Sequence, residues 1–199
     1  MAVATDLQRW YNRSQSWPAA TYASRDERME DTTPVVHEIA AYTDRLEVRG
    51  EVQAWPPRRI LDVLNNTQTP YLTVEQASVL PLSRWGKAQP TITESIVLNK
   101  AEVALVWLIR ETEVESSEFA TVYKVPQSVV AYVGSFVAQG TMHVLRDTTL
   151  SQALDAIREQ WFALTDPSVL CLSVAELTLR GGLVLSVNRD KVMALQAAR

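Results

Sequence analysis

Side chains able to do chemistry are few in this sequence and thinly spread. There are two histidines, His37 and His143, and one cysteine, Cys171. A structural or catalytic metal site needs three or four such ligands at close spacing. Neither histidine has a partner at helical or CxxC spacing, and both fall in alternating stretches that read as strands. Cys171 lies in the apolar run Ser168-Val169-Leu170-Cys171-Leu172. It reads as a small buried hydrophobe and not as a reactive thiolate. Asp62 and Asp155 are each preceded by leucine at matching helix positions. Paired carboxylates do acid–base work only when they converge on one reacting group. These two stand in separate stretches, so each reads as a side chain that positions its own helix or faces water. The sequence has no Gly-rich phosphate loop, no GxSxG and no HExxH. The expectation is a protein that is not an enzyme and holds no cofactor and no metal.

What remains is a set of residues suited to binding. Ser83 to Pro90 reads as a loop in which Arg84 and Lys87 flank Trp85. Two cations beside an aromatic ring suit a base, a phosphate or an acidic partner, and a solvated loop whose Trp85 caps the core accounts for the same residues. Arg58 and Lys100 are the further cations that such a site would recruit. Trp10 and Trp17 stand in the N-terminal segment and either pack on the body or anchor a partner, since aromatic residues serve both purposes.

These residues are carried on a pattern that occurs twice. Leu46, Val48, Gly50, Val52 and Ala54 alternate with polar residues, the period of a strand with one wet face. Phe136, Ala138, Gly140, Met142 and Val144 repeat the phase ninety positions on. The glycine takes the inward face both times, which suits a sharp bend or a close backbone approach. A short helical pattern follows each strand. The first is opened by Pro56-Pro57 and carries Ile60, Leu61 and Leu64. The second carries Leu150, Ala153, Leu154 and Ile157, and opens with Thr149 and Gln152 at capping-box spacing. Tyr71 to Val74 is then answered by Phe162 to Thr165, Ser78 to Leu82 by Ser168 to Leu172, and Ile96 to Leu105 by Leu185 to Leu195. Asn99-Lys100 and Asn188-Arg189 read as tight reversals, because asparagine tolerates positive φ. Recurrence of several elements in one order points to a tandem duplication.

The expected organisation is an N-terminal arm and polar linker over 1–33, a first repeat over 34–113, a connector over 114–125 and a second repeat over 126–199. Each repeat reads strand, strand, short helix, then three strands. Of 199 residues 47% are hydrophobic, an ordinary globular content. No run of eighteen apolar residues spans a membrane, and the N-terminus lacks a secretory pattern. A single cysteine excludes an internal disulfide, so the expected compartment is the cytoplasm. The net charge is −4 with both signs mixed along the chain, which argues against general affinity for nucleic-acid phosphates.

The bent strand with an inward glycine, the strand pair ending near 82 and the strand–Asn–basic–strand unit together resemble the small β-barrel of the Sm-like family. Gly50 and Gly140 would answer that family's second-strand glycine, and Asn99-Lys100 and Asn188-Arg189 its turn between the last two strands. The sequence departs from the family in lacking Arg-Gly at that turn, and in placing a helix where the family's RNA-holding Asp and Asn lie. RNA binding therefore does not carry over. Arg58-Arg59 is similar to the start of the PilZ cyclic-dinucleotide pattern, but the later D/N-x-S-x-x-G is missing. The chain is similar in outline to tandem-duplicated bacterial domains.

The fold class expected is mainly β with short helices: two tandem repeats of a small bent sheet or Sm-like barrel, each with one short helix. The expected work is protein–protein interaction or assembly through strand edges, with a protein partner or a homo-oligomer. The alternative is nucleic-acid or nucleotide binding through the Arg84–Lys87 loop.

Overall fold

The alternating stretch from Leu46 is a strand over its whole length, and so is its echo from Phe136. In the computed structural model, which describes residues 34–55, 59–111 and 124–198, these two are β2 (Leu46–Ala54) and β7 (Phe136–Leu145). The first half of the chain supplies β1 (Val35–Thr43), β2, α1 (Ile60–Asn65), β3 (Tyr71–Pro81), β4 (Thr91–Asn99) and β5 (Val103–Glu111). The second supplies β6 (Lys124–Val133), β7, α2 (Leu150–Ala156), β8 (Trp161–Cys171), β9 (Thr178–Arg180), β10 (Val184–Asn188) and β11 (Val192–Ala197). Single 3-10 turns stand at Leu82–Arg84, Lys100–Glu102 and Arg189–Lys191.

All these strands belong to one antiparallel sheet in the order β11-β6-β7-β8-β10-β5-β1-β2-β3-β4, with β9 on the edge of β8. Of the two expected forms, small bent sheets or barrels, the barrels do not form. The sheet is open, because β10 pairs with β5 and so joins the halves edge to edge. With the short β9 set aside, the order within each half is nevertheless the same: last strand, first, second, third, then the strand before the last.

The continuous sheet carries two apolar cores. The first gathers Ile39, Ala41, Val48, Val52, α1 through Ile60 and Leu64, and Val74. The second gathers Phe136, Ala138, Met142, Phe162, Leu164 and Leu185, together with Ala40, Tyr42, Leu105 and Trp107 from the first half. β1 and β5 thus bury alternate side chains in different cores. This explains why Val103 to Leu108 is apolar without a break: a strand covered on both faces has no wet face to alternate with.

Irregularities recur at matched places. The β2–β3 register shifts between Arg49 and Glu51, and the β7–β8 register between Gln139 and Thr141. Opposite these breaks Gln76 and Asp166 take positive φ, 47° and 50°. An extra residue on one strand of a pair is a β-bulge, and it bends the strand. The inward glycines sit at these bends. A Cβ on Gly50 would collide with the Glu75 carbonyl and the Val74 side chain, while one on Gly140 would sit 3.0 Å from both Leu164 and the Thr165 carbonyl. We therefore expect Gly50→Ala to cost about 2–3 kcal/mol, in the range for overpacking, and Gly140→Ala to cost less. Chemical denaturation of the two variants side by side checks the order. Equal midpoints would show that the bend does not depend on backbone contact.

Two sequence expectations change in detail. Tyr71 aligns with Trp161 and not with Phe162. The burial pattern decides this, since Leu72 and Val74 match Phe162 and Leu164 as inward residues, and a one-residue slip would turn every side chain to the other face. Asn99 and Asn188 have φ of −72° and −75°, so neither makes a positive-φ reversal. Each instead caps a 3-10 turn by accepting a backbone N–H two residues on, Ala101 at 3.0 Å and Asp190 at 3.1 Å. The Thr149–Gln152 capping box on α2 forms as its spacing predicts, with Thr149 N–H donating to Gln152 Oε1 at 2.9 Å. Pro56 and Pro57 lie outside the described residues.

Candidate partner interface

The chain contains one joint between its halves, and that joint shows what its strand edges can do. Leu185, Ser186 and Val187 of β10 lie opposite Trp107, Val106 and Leu105 of β5. At the end of this pairing Asn188 is fully buried, and its Nδ2 donates to the carbonyls of Val103 at 2.8 Å and Lys100 at 3.2 Å. Its Oδ1 is already occupied by the turn cap, so both ends of the carboxamide are used. A Cβ on Gly182 would fall within the Trp107 ring, which gives one Gly of the only Gly-Gly pair a packing reason.

Further contacts on two sides fix the joint. Trp161 starts β8 in the second half but is buried in the first core. Its backbone is held by the Asn65 side chain, whose Nδ2 donates to Trp161 O at 3.0 Å and whose Oδ1 accepts from Trp161 N at 2.8 Å. Asn65 thereby acts as a short length of strand edge. On the other side, Asp44 Oδ1 accepts from Ser135 N–H at 2.9 Å, and the Tyr42 and Phe136 rings meet edge to face at 5.7 Å. Tyr42 OH donates to Glu47 Oε1 at 3.0 Å. Burial, reinforced by the Glu47 charge, holds this phenol well above its ordinary pKa.

The outer edges of the sheet are β4 and β11, and among the described residues each pairs on one side only. They are the next-to-last strand of one half and the last of the other, the same two kinds of element that meet internally as β10 and β5. Their exposure is unlike that of their counterparts. Val97 on β4 is 60% exposed, and its counterpart Ser186 on β10 is buried. Met193 on β11 is 66% exposed, and its counterpart Ala104 on β5 is buried. Leu172 is 60% exposed against buried Leu82, and Tyr71 58% against buried Trp161. Apolar side chains thus lie open at the positions that the joint covers.

The residues singled out from sequence fall in several places. Trp10, Trp17 and Arg58 lie outside the described residues. Arg84 and Lys87 are exposed on the loop after β3, with Trp85 between them half-buried against the second core. Lys100 does not join them. It is buried, and its ammonium donates to Val63 O at 2.7 Å, Asn66 O at 3.1 Å and Thr69 Oγ1 at 3.4 Å, closing the end of α1. Desolvation lowers its pKa from the usual lysine value. Arg189 plays the same part for α2 by donating to Ile157 O. His37 is buried on β1, while His143 is on the exposed side of β7 near Thr165. Asp62 accepts the Arg59 N–H at 3.0 Å, and Asp155 faces water. Cys171 is buried.

Beside the joint lies a cleft of about 940 Å³ between α1 and the ends of β7 and β8. Asp62, Glu159, Lys124 and His143 line it together with Ile157 and Phe162. Among the described residues no group of three or more His, Cys, Asp or Glu is placed to hold a metal ion, and no helix is long and apolar enough to cross a membrane.

Sequence reasoning missed the joint residues Asn65, Trp161 and Asn188 as a set. The unbroken apolar run of β5 signals that both its faces are covered, but not which strand lies at its edge. Comparison with known proteins returned no matching family model, no matching curated protein and no matching solved structure.

Proposed function

We propose that this protein is a non-enzymatic assembly module whose copies join head to tail, β4 of one molecule pairing with β11 of the next. One observation carries the reading: the exposed apolar residues Val97, Met193, Leu172 and Tyr71 occupy positions whose counterparts are buried where the halves meet. A free edge presents unpaired N–H and C=O groups, and pairing them is the simplest way for a sheet to recruit a partner. The matched bulges, glycines and capping asparagines support a tandem duplication of a small bent sheet, and the Sm-like resemblance gives each half the outline of such a unit. On that reading the internal joint is a covalently retained version of the contact between copies. The two edges are different surfaces, so the contact is heterologous and repeats until it closes into a ring or runs on.

The test uses lysine at each edge, the residue that natural sheets use to blunt edge pairing. Wild-type protein should show concentration-dependent association in sedimentation velocity. Val97→Lys and Met193→Lys should each be monomeric alone. Mixed one to one, they should form a dimer, because each retains the edge that the other lacks. A wild-type protein that stays monomeric and captures no partner would end the proposal. Retention on single-stranded nucleic acid at low salt, lost on replacing Arg84 and Lys87, would favour the loop instead.

A further inference from the structure

We infer that Asn99 sets the register between copies, its side-chain amide donating to the Arg189 and Val192 carbonyls of the next molecule. This rests on the head-to-tail reading and assigns the residue that makes the contact specific. Asn188 is the template. Its Oδ1 caps its own turn while its Nδ2 bonds Lys100 O and Val103 O across the joint. Asn99 has the first half of this arrangement, with Oδ1 on Ala101 N–H, but it is exposed and no acceptor for its Nδ2 occurs among the described residues. The acceptors it would meet are shaped alike. Lys100 O takes the Val103 N–H within its own turn and the Asn188 amide with its remaining lone pair. Arg189 O takes the Val192 N–H in the same way, leaving a lone pair for a donor from outside.

The strands around these groups also correspond. β5 breaks register with β1 between Thr43 and Tyr42, skipping Ala104, and β11 breaks register with β6 between Val133 and Tyr132, skipping Met193. β5 and β11, the last strand of each half, therefore offer the same backbone profile at their start. Carrying the internal pairing over places Ile96 opposite Gln196 of the next copy, Val97 opposite Leu195 and Leu98 opposite Ala194. Only this register brings the Asn99 amide to the end of the partner's turn. A shift of one residue would turn the apolar side chains to the wrong face and leave the amide without its acceptors.

Asn99→Asp isolates the claim. A carboxylate keeps the oxygen that caps the turn but sets a second acceptor against two carbonyls, where a donor is required. The variant should melt as the wild type does at a dilution where both are monomeric, and its association should weaken at least tenfold in sedimentation velocity. Asn99→Ser, whose hydroxyl can cap the turn but is too short to bridge, should shift association in the same direction. If wild type associates and both variants associate equally well, the assignment of Asn99 is overturned while edge pairing stands. If wild type does not associate, both fall together.

Discussion

Trp161→Ala should lower the thermal midpoint by on the order of 10 °C. The side chain is 1% exposed and inserts into the first core although its strand belongs to the second half. Truncating a buried tryptophan costs about 3–5 kcal/mol, and each kcal/mol moves the midpoint of a domain this size by roughly 2–4 °C. The two Asn65 bonds run to the Trp161 backbone and survive the change, so the loss reports the side chain and not those bonds. Trp161→Phe should recover much of it. The indole Nε1 has no acceptor among the described residues, and removing an unsatisfied buried donor offsets part of the lost contact. Tyr71→Ala is the internal control: the matching position is exposed in a monomer, so its effect there should stay below about 1 kcal/mol. Differential scanning calorimetry on dilute samples compares all three. A Trp161→Ala midpoint within two degrees or so of wild type would mean that the indole is not what ties the halves together.

Asn188→Asp should cost about 3–5 kcal/mol near neutral pH, the range for leaving a buried charge without a partner. The carboxylate would face Lys100 O and Val103 O, both of which now accept from the amide. The sign with pH is fixed. Burial among acceptors raises the folded-state pKa of the new carboxyl above its unfolded value. Below the unfolded value, about pH 4, both states are protonated and the deficit is smallest. It grows as pH rises from there until the folded-state group also ionises, and then holds constant. Asn188→Ala lacks the charge and should show a smaller, pH-independent loss of about 2 kcal/mol. Urea titrations of the three proteins between pH 4 and pH 7 measure the gap. A deficit for Asn188→Asp that does not change with pH would exclude a buried carboxylate at this joint.

Much of the fold is legible in the sequence. Strict alternation located β2 and β7, and the capping-box spacing of Thr149 and Gln152 located the start of α2. Gly50 and Gly140 were readable as close-approach positions, because a residue without a side chain at an inward phase has few other uses. The alignment of β3 with β8 was off by one. Apolar residues fill both phases at Trp161-Phe162, since one side chain enters each core, and period alone cannot rank them. The single open sheet was not legible either. The pairing of β10 with β5 joins residues far apart in sequence through three short matched positions, and neither strand announces its neighbour. As for the binding residues, Lys100 illustrates the limit. A lysine beside an asparagine reads as a surface cation, and only the carbonyls at the end of α1 reveal that its charge is directed inward.

That β1 and β5 have each side wedged into a different core bears on how the molecule comes apart. Neither core owns those strands, so one cannot melt while the other keeps its shape, and the sheet should rupture as a single cooperative event. Excising either half at the connector would strip a greasy flank bare, which makes this architecture a poor source of detachable fragments and a good recorder of distant damage.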